Sequence, residues 1–426
     1  MAHPVADRAD YARSTAWQLA LPIEFNKAHI GGERNEQLTG PEMSTHDTLR
    51  HIAAALSIAA VGLLAVAPPA AGAAGAPNLA LGLGSGMFAK TDFNGDGRAD
   101  IVWRHPVTGH TAVWLMDGGQ VIGSALLVAD PAWEAVATPD LDGDGKSDIV
   151  WHHAGNNWWA VWLMNGTAMR TSAALSIRDS RLVATLDLNG DGKSDLFWIN
   201  GLNNQKSVGL MNGLAQIGWV DYDNDPNYVP WGFADVNGDG RSDRIYLQAD
   251  RNWLNIAITN TGKLGIWGLG SGWQVDATPD LNGDRRADLL WHNRATGQWS
   301  VWLLDGACCF SIAVLAQSTL SSDPAWVVIG TPDLDGDGKA DLLWYHAGSG
   351  STAAWLMDGV APRSTAVLAT LPDWTVIATR DFNGDGKADL LWRNAVTGQV
   401  AVWLMNGTTL ISAVILPNDP AWVPVF

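Results

Sequence analysis

Residues 381–392 read DFNGDGKADLLW. Oxygen-bearing side chains stand at alternate positions, two glycines follow acidic or amide residues, and an apolar run ending in Trp comes next. That order is a tight turn feeding a β-strand. The same nine-residue loop begins at Asp92, Asp140, Asp187, Asp235, Asp280 and Asp333, so it occurs seven times. Successive copies are 48, 47, 48, 45, 53 and 48 residues apart. A fixed period in this range marks a repeat array.

Each unit has further common parts. An aromatic stands seven residues before the loop at Trp133, Tyr228, Trp273, Trp326 and Trp374. Another lies three residues after it at Trp103, Trp151, Trp198, Tyr246, Trp291, Trp344 and Trp392. A third follows eleven further on at Trp114, Trp162, Trp302, Trp355 and Trp403, in runs such as AVWLMNG whose Asn-Gly or Asp-Gly signals a turn. Each unit therefore offers about four short strands, the pattern of a propeller blade. Repeated helix pairs are excluded by segments that are short, rich in Val, Ile and Trp, and cut by turn dipeptides. The reading is an all-β, seven-bladed β-propeller of four-stranded antiparallel blades over residues 87–426. The chain ends DPAWVPVF, a copy of the strand that precedes other loops, with no loop after it. The first unit has Ser85 where that strand's Trp belongs. Trp422 and the C-terminal strand are thus expected to complete the first blade and close the ring, which removes exposed edges.

The loop pattern supplies oxygens at positions one, three, five and nine. In the first three loops these are Asp92, Asn94, Asp96 and Asp100; Asp140, Asp142, Asp144 and Asp148; and Asp187, Asn189, Asp191 and Asp195. The next two offer Asp235, Asn237, Asp239 and Asp243, then Asp280, Asn282, Asp284 and Asp288. The last two offer Asp333, Asp335, Asp337 and Asp341, then Asp381, Asn383, Asp385 and Asp389. Calcium takes six to eight oxygens, magnesium seldom uses a cage of protein carboxylates, and zinc wants His or Cys. The expected cofactor is calcium, up to seven ions, with a backbone carbonyl such as that of Lys387 adding a ligand. A plain Asp/Gly turn is the rival. The fifth loop is doubtful because Arg285 replaces the turn glycine. Position seven is Lys or Arg throughout, and its side chain is expected to point to water.

Composition agrees. Of 426 residues 24 are Trp and 46 Gly, but only 16% are charged, which suits short strands and turns. The formal net charge of −18 points away from nucleic acid, and 23 of the 44 acidic residues sit in the loops. Seven divalent ions would carry the net to about −4.

The N-terminal region is read separately. Residues 1–42 have no repeat partner and are taken as a misassigned start or a disordered leader. Met43 opens a segment in which Arg50 and His51 precede the apolar run Ile52–Val66, and Ala71-Gly72-Ala73 follows. This is the order of a secretory signal peptide over 43–73, too short for a membrane span, with a type II anchor as the alternative. Residues 74–86 form a short linker. The mature chain is expected outside the cell, without a membrane span, as a monomer. Cys308 and Cys309 are adjacent, so they are either two small apolar residues or a strained bridge.

The loops resemble FG-GAP repeats, also called VCBS-type repeats, of integrin α-chain propellers and many secreted bacterial proteins. The resemblance covers roughly residues 87–426. It implies a seven-bladed propeller with calcium in loops joining two strands of a blade. It implies no single function, since members serve adhesion, protein binding, glycan binding and attachment of enzymes to polymers. Units three and four depart from the pattern, with Gly209 and Ala257 where the third Trp belongs.

No nucleophile elbow, H-E-x-x-H or phosphate loop occurs. His105, His153, His292 and His346 follow the strand Trp in four different units, which spreads them around a ring. An enzyme is therefore not expected. The expected role is a binding module, most readily for glycans, with a protein-binding or adhesive scaffold as the alternative. The clusters WHHAGNNWW and WHNRATGQW offer His152, Trp158, Trp159, His292 and Trp299 as ligand residues. Trp158, Trp159 and Trp299 fall outside the regular aromatic set, so core packing accounts for them less well.

Overall fold

The computed structural model describes residues 91–425, apart from 223–226, 249–250, 260, 262–263, 269, 307–311 and 321–322. The leader, signal segment, linker, Ser85 and the Cys308–Cys309 pair lie outside the described residues. Alternating strands and glycine turns give seven sheets of four antiparallel strands each, and no helix among the described residues. Blade one is β1 (Ile101–Arg104), β2 (His110–Asp117) and β3 (Gln120–Ala129). Blade two runs from β4 (Trp133–Ala137) to β7 (Ala168–Leu175), and blade three from β8 (Ser180–Leu186) to β11 (Ala215–Tyr222). Blade four runs from β12 (Tyr228–Ala234) to β15 (Leu264–Gly268), and blade five from β16 (Trp273–Ala277) to β19 (Val314–Thr319). Blade six runs from β20 (Trp326–Gly330) to β23 (Ala361–Thr370), and blade seven from β24 (Trp374–Arg380) to β27 (Thr409–Ile415). The last strand, β28 (Val423–Val425), pairs with β1 and supplies the fourth strand of blade one, as the terminal repeat predicts. Arg393 of blade seven fastens this closure by donating to the carbonyl of Trp422 at 3.0 Å.

The core lies between blades. Each hydrophobic cluster joins neighbouring sheets, such as Trp103 and Met116 with Leu391 and Val402 across the seam between blades one and seven. Six of the aromatics three residues after the loop are Trp, each at most 3% exposed. In five blades this Trp meets the third Trp of its own unit, with ring centroids 4.7–5.0 Å apart and planes tilted by 46–55°. A single sheet cannot bury such a pair, but the preceding blade covers it. In blade three, Gly209 removes the partner and Trp198 meets Trp159 of blade two edge-on at 4.7 Å. In blade four Tyr246 and Ala257 replace both indoles.

Candidate metal loops and surface cavities

In blades two to seven the acidic loop joins the first two strands, in blade one it leads into β1, and each loop folds around its own carboxylates. In the first loop, Asp92 Oδ1 accepts from Gly95 N–H at 2.7 Å and Oδ2 accepts from Gly97 N–H at 2.8 Å. Asp96 Oδ1 accepts from Arg98 N–H at 2.9 Å. The same bonds recur in the seventh loop, from Gly384, Gly386 and Lys387. The second glycine sits at φ near +80° in six loops, a region that strains other residues. Arg285 takes φ +65° in the fifth loop and still donates to Asp280 Oδ2 at 2.7 Å, so that loop keeps the common shape.

The ninth-position Asp has a second job besides offering a ligand oxygen. Asp341 is 0% exposed. Its Oδ2 accepts from Leu334 N–H at 2.9 Å and its Oδ1 from Met357 N–H at 2.8 Å. The other six make the matching pair of bonds; Asp100, for example, ties Phe93 and Met116. The residue straps its loop to the third strand. Burial pushes Asp100, Asp148, Asp243, Asp288, Asp341 and Asp389 up to about 7, and Asp195 to about 6, against backbone N–H bonds that lower them.

Loops two and six bring carboxylates together. Oxygens of Asp140, Asp142 and Asp148 lie within 4.8 Å of one another, and so do those of Asp333, Asp335 and Asp341. Asp335 Oδ1 is buried without a hydrogen-bond partner, so this oxygen is available to a cation. The donor set is all oxygen, as a hard divalent cation requires. In the other five loops the third position is Asn, whose amide nitrogen donates to the fifth-position Asp, as Asn94 does to Asp96 Oδ2 at 2.9 Å. Loops two and six have no such amide. There an arginine from the fourth strand takes its place. Arg170 on β7 pairs with Asp142 and Asp144, and Arg363 on β23 pairs with Asp335 and Asp337. Sequence reasoning missed both. The signal was present: thirty residues after the first loop residue stands Arg where position three is Asp, but Ile122, Ile217 or Ile411 in three loops where it is Asn.

The structure corrects the expectation that position-seven cations point to water. Each lies against a glycine of the preceding loop: a Cβ built on Gly95 would stand 3.3 Å from Lys146 Cγ, and one on Gly384 would stand 3.2 Å from Arg98 Cγ. Lys146 Nζ then reaches Asn165 Oδ1 at 2.6 Å in its own blade's hairpin. The long apolar stems cover the preceding loop while the charged ends stay partly wet.

The histidines act locally. Nδ1 of His105, His153 and His346 accepts backbone N–H bonds from Thr108, Gly155 and Ser349 at 3.0–3.2 Å. Trp159 and Trp299 are 4% and 1% exposed, and they meet Trp198 and Trp344 of the next blades. Core packing therefore accounts for these two indoles, contrary to the sequence reading. His292 is 6% exposed, stacks on Trp299 at 4.1 Å, and faces Asp276 at 3.3 Å. Trp158, on the opposite face of its strand from Trp159, is 52% exposed. His152 and Trp159 line a cavity of about 210 Å³ between blades two and three, with Asn157, Ser180 and Arg181. His152 Nε2 lies 2.8 Å from Asn157 Oδ1.

The FG-GAP-like repeat model matches residues 92–151, 140–198, 280–344 and 333–392. Residues 199–279, which contain Gly209 and Ala257, lie between the matches. No curated protein matches the chain. Among solved structures, prolyl oligopeptidase B from Galerina marginata is similar at 10% identity and TM-score 0.50, over 79% of this chain and 53% of that one. The β-propeller domain of Cps50 (Swd1) from Myceliophteria thermophila is similar at 10% identity and TM-score 0.46, over 75% and 97%. At such identities the likeness concerns the fold alone. With the acidic loop, its buried ninth carboxylate and the following aromatic repeated through seven blades, this chain belongs to the FG-GAP-like repeat family.

Proposed function

We propose that this protein is a secreted, calcium-stabilised binding module that takes carbohydrate. Calcium is the ion that the all-oxygen loops suit, and the partnerless Asp335 Oδ1 supports it. Asp140, Asp142 and Asp148, or Asp333, Asp335 and Asp341, would hold the ion, which supplies the positive charge that their mutual repulsion needs. The signal-like segment 43–73 supports secretion. No helix among the described residues is long and apolar enough to cross a membrane.

One observation carries the carbohydrate reading: the cavity between blades two and three. His152, Asn157, Ser180 and Arg181 offer donors and acceptors for hydroxyls around the edge of Trp159. The proposal assigns the chain no catalysis, and the strand-end histidines of four blades do not converge. The test is a glycan array probed with calcium-loaded protein, then calorimetry with His152→Ala. A sugar ligand whose affinity falls at least tenfold in that variant supports the reading. An array without binding, or a ligand indifferent to His152, contradicts it.

A protein-binding scaffold is the second reading. Ile122 and Leu126 on β3, Ile217 and Trp219 on β11, and Val367 on β23 are 49–62% exposed on fourth strands. Such edges suit a protein surface. A bound protein partner with no sugar response would favour it.

A further inference from the structure

Arg285 stands where the other six loops have glycine, and it takes φ +65° there. A Cβ built on the glycine of any of those six loops meets nothing within 4 Å. The place is therefore sterically open, and only its backbone conformation penalises a side chain. Packing does not repay that strain, because Arg285 is exposed. Its guanidinium makes no hydrogen bond or ion pair among the described residues; its backbone N–H alone is engaged, by Asp280 Oδ2 at 2.7 Å. Strained residues of this kind gather where a side chain is presented to a ligand.

Arg285 lines a cavity of about 280 Å³, where the first strands of blades three, four and five run into their loops. A second group in that cavity is also unspent. Thr278 is 3% exposed, and its buried Oγ1 has no hydrogen-bond partner, whereas buried hydroxyls are normally satisfied. Asp235 and Asp280 line the cavity too, but their oxygens are turned to their own loops. Asp235 Oδ1 and Oδ2 accept from Gly238 and Gly240 N–H at 2.6 and 2.8 Å, and Asp280 Oδ1 accepts from Gly283 N–H at 2.8 Å. Arg286 Nη1 is taken by the carbonyl of Asp305 at 3.0 Å. What remains on offer is a guanidinium and a hydroxyl, set beside an apolar wall of Leu186, Phe233 and Ala287, each at most 8% exposed.

We infer that this cavity binds a small aliphatic carboxylate. The planar Arg285 guanidinium meets both carboxylate oxygens, the Thr278 hydroxyl donates to one of them, and the apolar wall meets the alkyl end. The site does not use His152 and stands independently of the carbohydrate reading.

The test is calorimetry and saturation-transfer NMR on the calcium-loaded protein with butyrate, butyramide, n-butylamine and inorganic phosphate as probes. Butyrate is expected to bind at least tenfold more tightly than any of the others, as a charge-assisted pair predicts. Arg285→Gly, which restores the residue of the other loops, should weaken butyrate at least tenfold without lowering the melting temperature, so the loss cannot be misfolding. Arg285→Gln, which keeps a side chain at the strained place but removes its charge, should weaken it similarly. Thr278→Val, which keeps the shape and removes one neutral hydrogen bond, should weaken it about threefold or more. His152→Ala should leave it unchanged, so failure of the glycan site and failure of this one are separable. Butyrate no tighter than butyramide or phosphate would overturn the assignment. So would butyrate binding undiminished by both Arg285 variants, the result expected if the carboxylate sat on a loop metal instead.

Discussion

The backbone N–H of Ala99 donates to the carbonyl oxygen of Asp381 at 2.7 Å, joining the first loop to the seventh. The equivalent bond links each remaining pair of neighbours, for example Ser147 to Asp92 at 2.7 Å and Ala388 to Asp333 at 2.7 Å. The loops are therefore hydrogen-bonded to one another around the whole ring. A cation that stiffens one loop also steadies the carbonyl on which the next blade rests. The blades should unfold together and not one by one.

The ninth-position Asp should matter even without metal. Asp341→Ala removes acceptors from Leu334 and Met357, two buried backbone donors. Losing them costs about 2–5 kcal/mol. Asp337→Ala, at an exposed position, should cost under about 1 kcal/mol in chelator. Urea unfolding of both variants in chelator checks this, and equal costs would contradict the strap.

Arg285→Gly should stabilise the protein by roughly 1 kcal/mol, because it releases a positive φ of 65°. The melting temperature should rise with calcium absent as well as present. An unchanged or lower value would show that the Arg285 side chain contributes more than its backbone costs.

Arg170→Met should affect loop two alone. The arginine offsets the fourth carboxylate there, so its removal should raise that loop's calcium affinity and slightly lower the metal-free melting temperature. The pair is exposed, so the change should be only about two- to fivefold. Calcium titration at low salt measures it; a fall in affinity would mean that Arg170 orders the loop more than it competes.

Much of this was legible in the sequence because a repeated unit shows its rules several times. The seven loops, the Trp positions and the closing strand at Val423–Val425 follow from spacing. The exceptions were harder to read. Arg170 and Arg363 act on loops thirty residues away, and only comparison of loops with Asp and Asn at position three reveals them. Trp159 and Trp299 looked surplus because their partners, Trp198 and Trp344, belong to the next unit and come close only when the ring forms.

Ring closure can be broken directly. Deleting residues 420–426 removes β28 and exposes the β1 edge, along with the acceptor for Arg393. The truncated chain should lose cooperative melting and self-associate through that edge. A monomer melting like the full chain would mean that β28 is dispensable.

The central claim is that the seven loops hold calcium and that calcium holds the propeller. The direct measurement is thermal unfolding of chelated protein as calcium is restored, with bound calcium counted by elemental analysis. The account predicts six or seven ions and a melting temperature that climbs with calcium, by about 2.7 kcal/mol of stability per site at a hundredfold excess over its dissociation constant. No bound calcium and an unmoved melting temperature would contradict it.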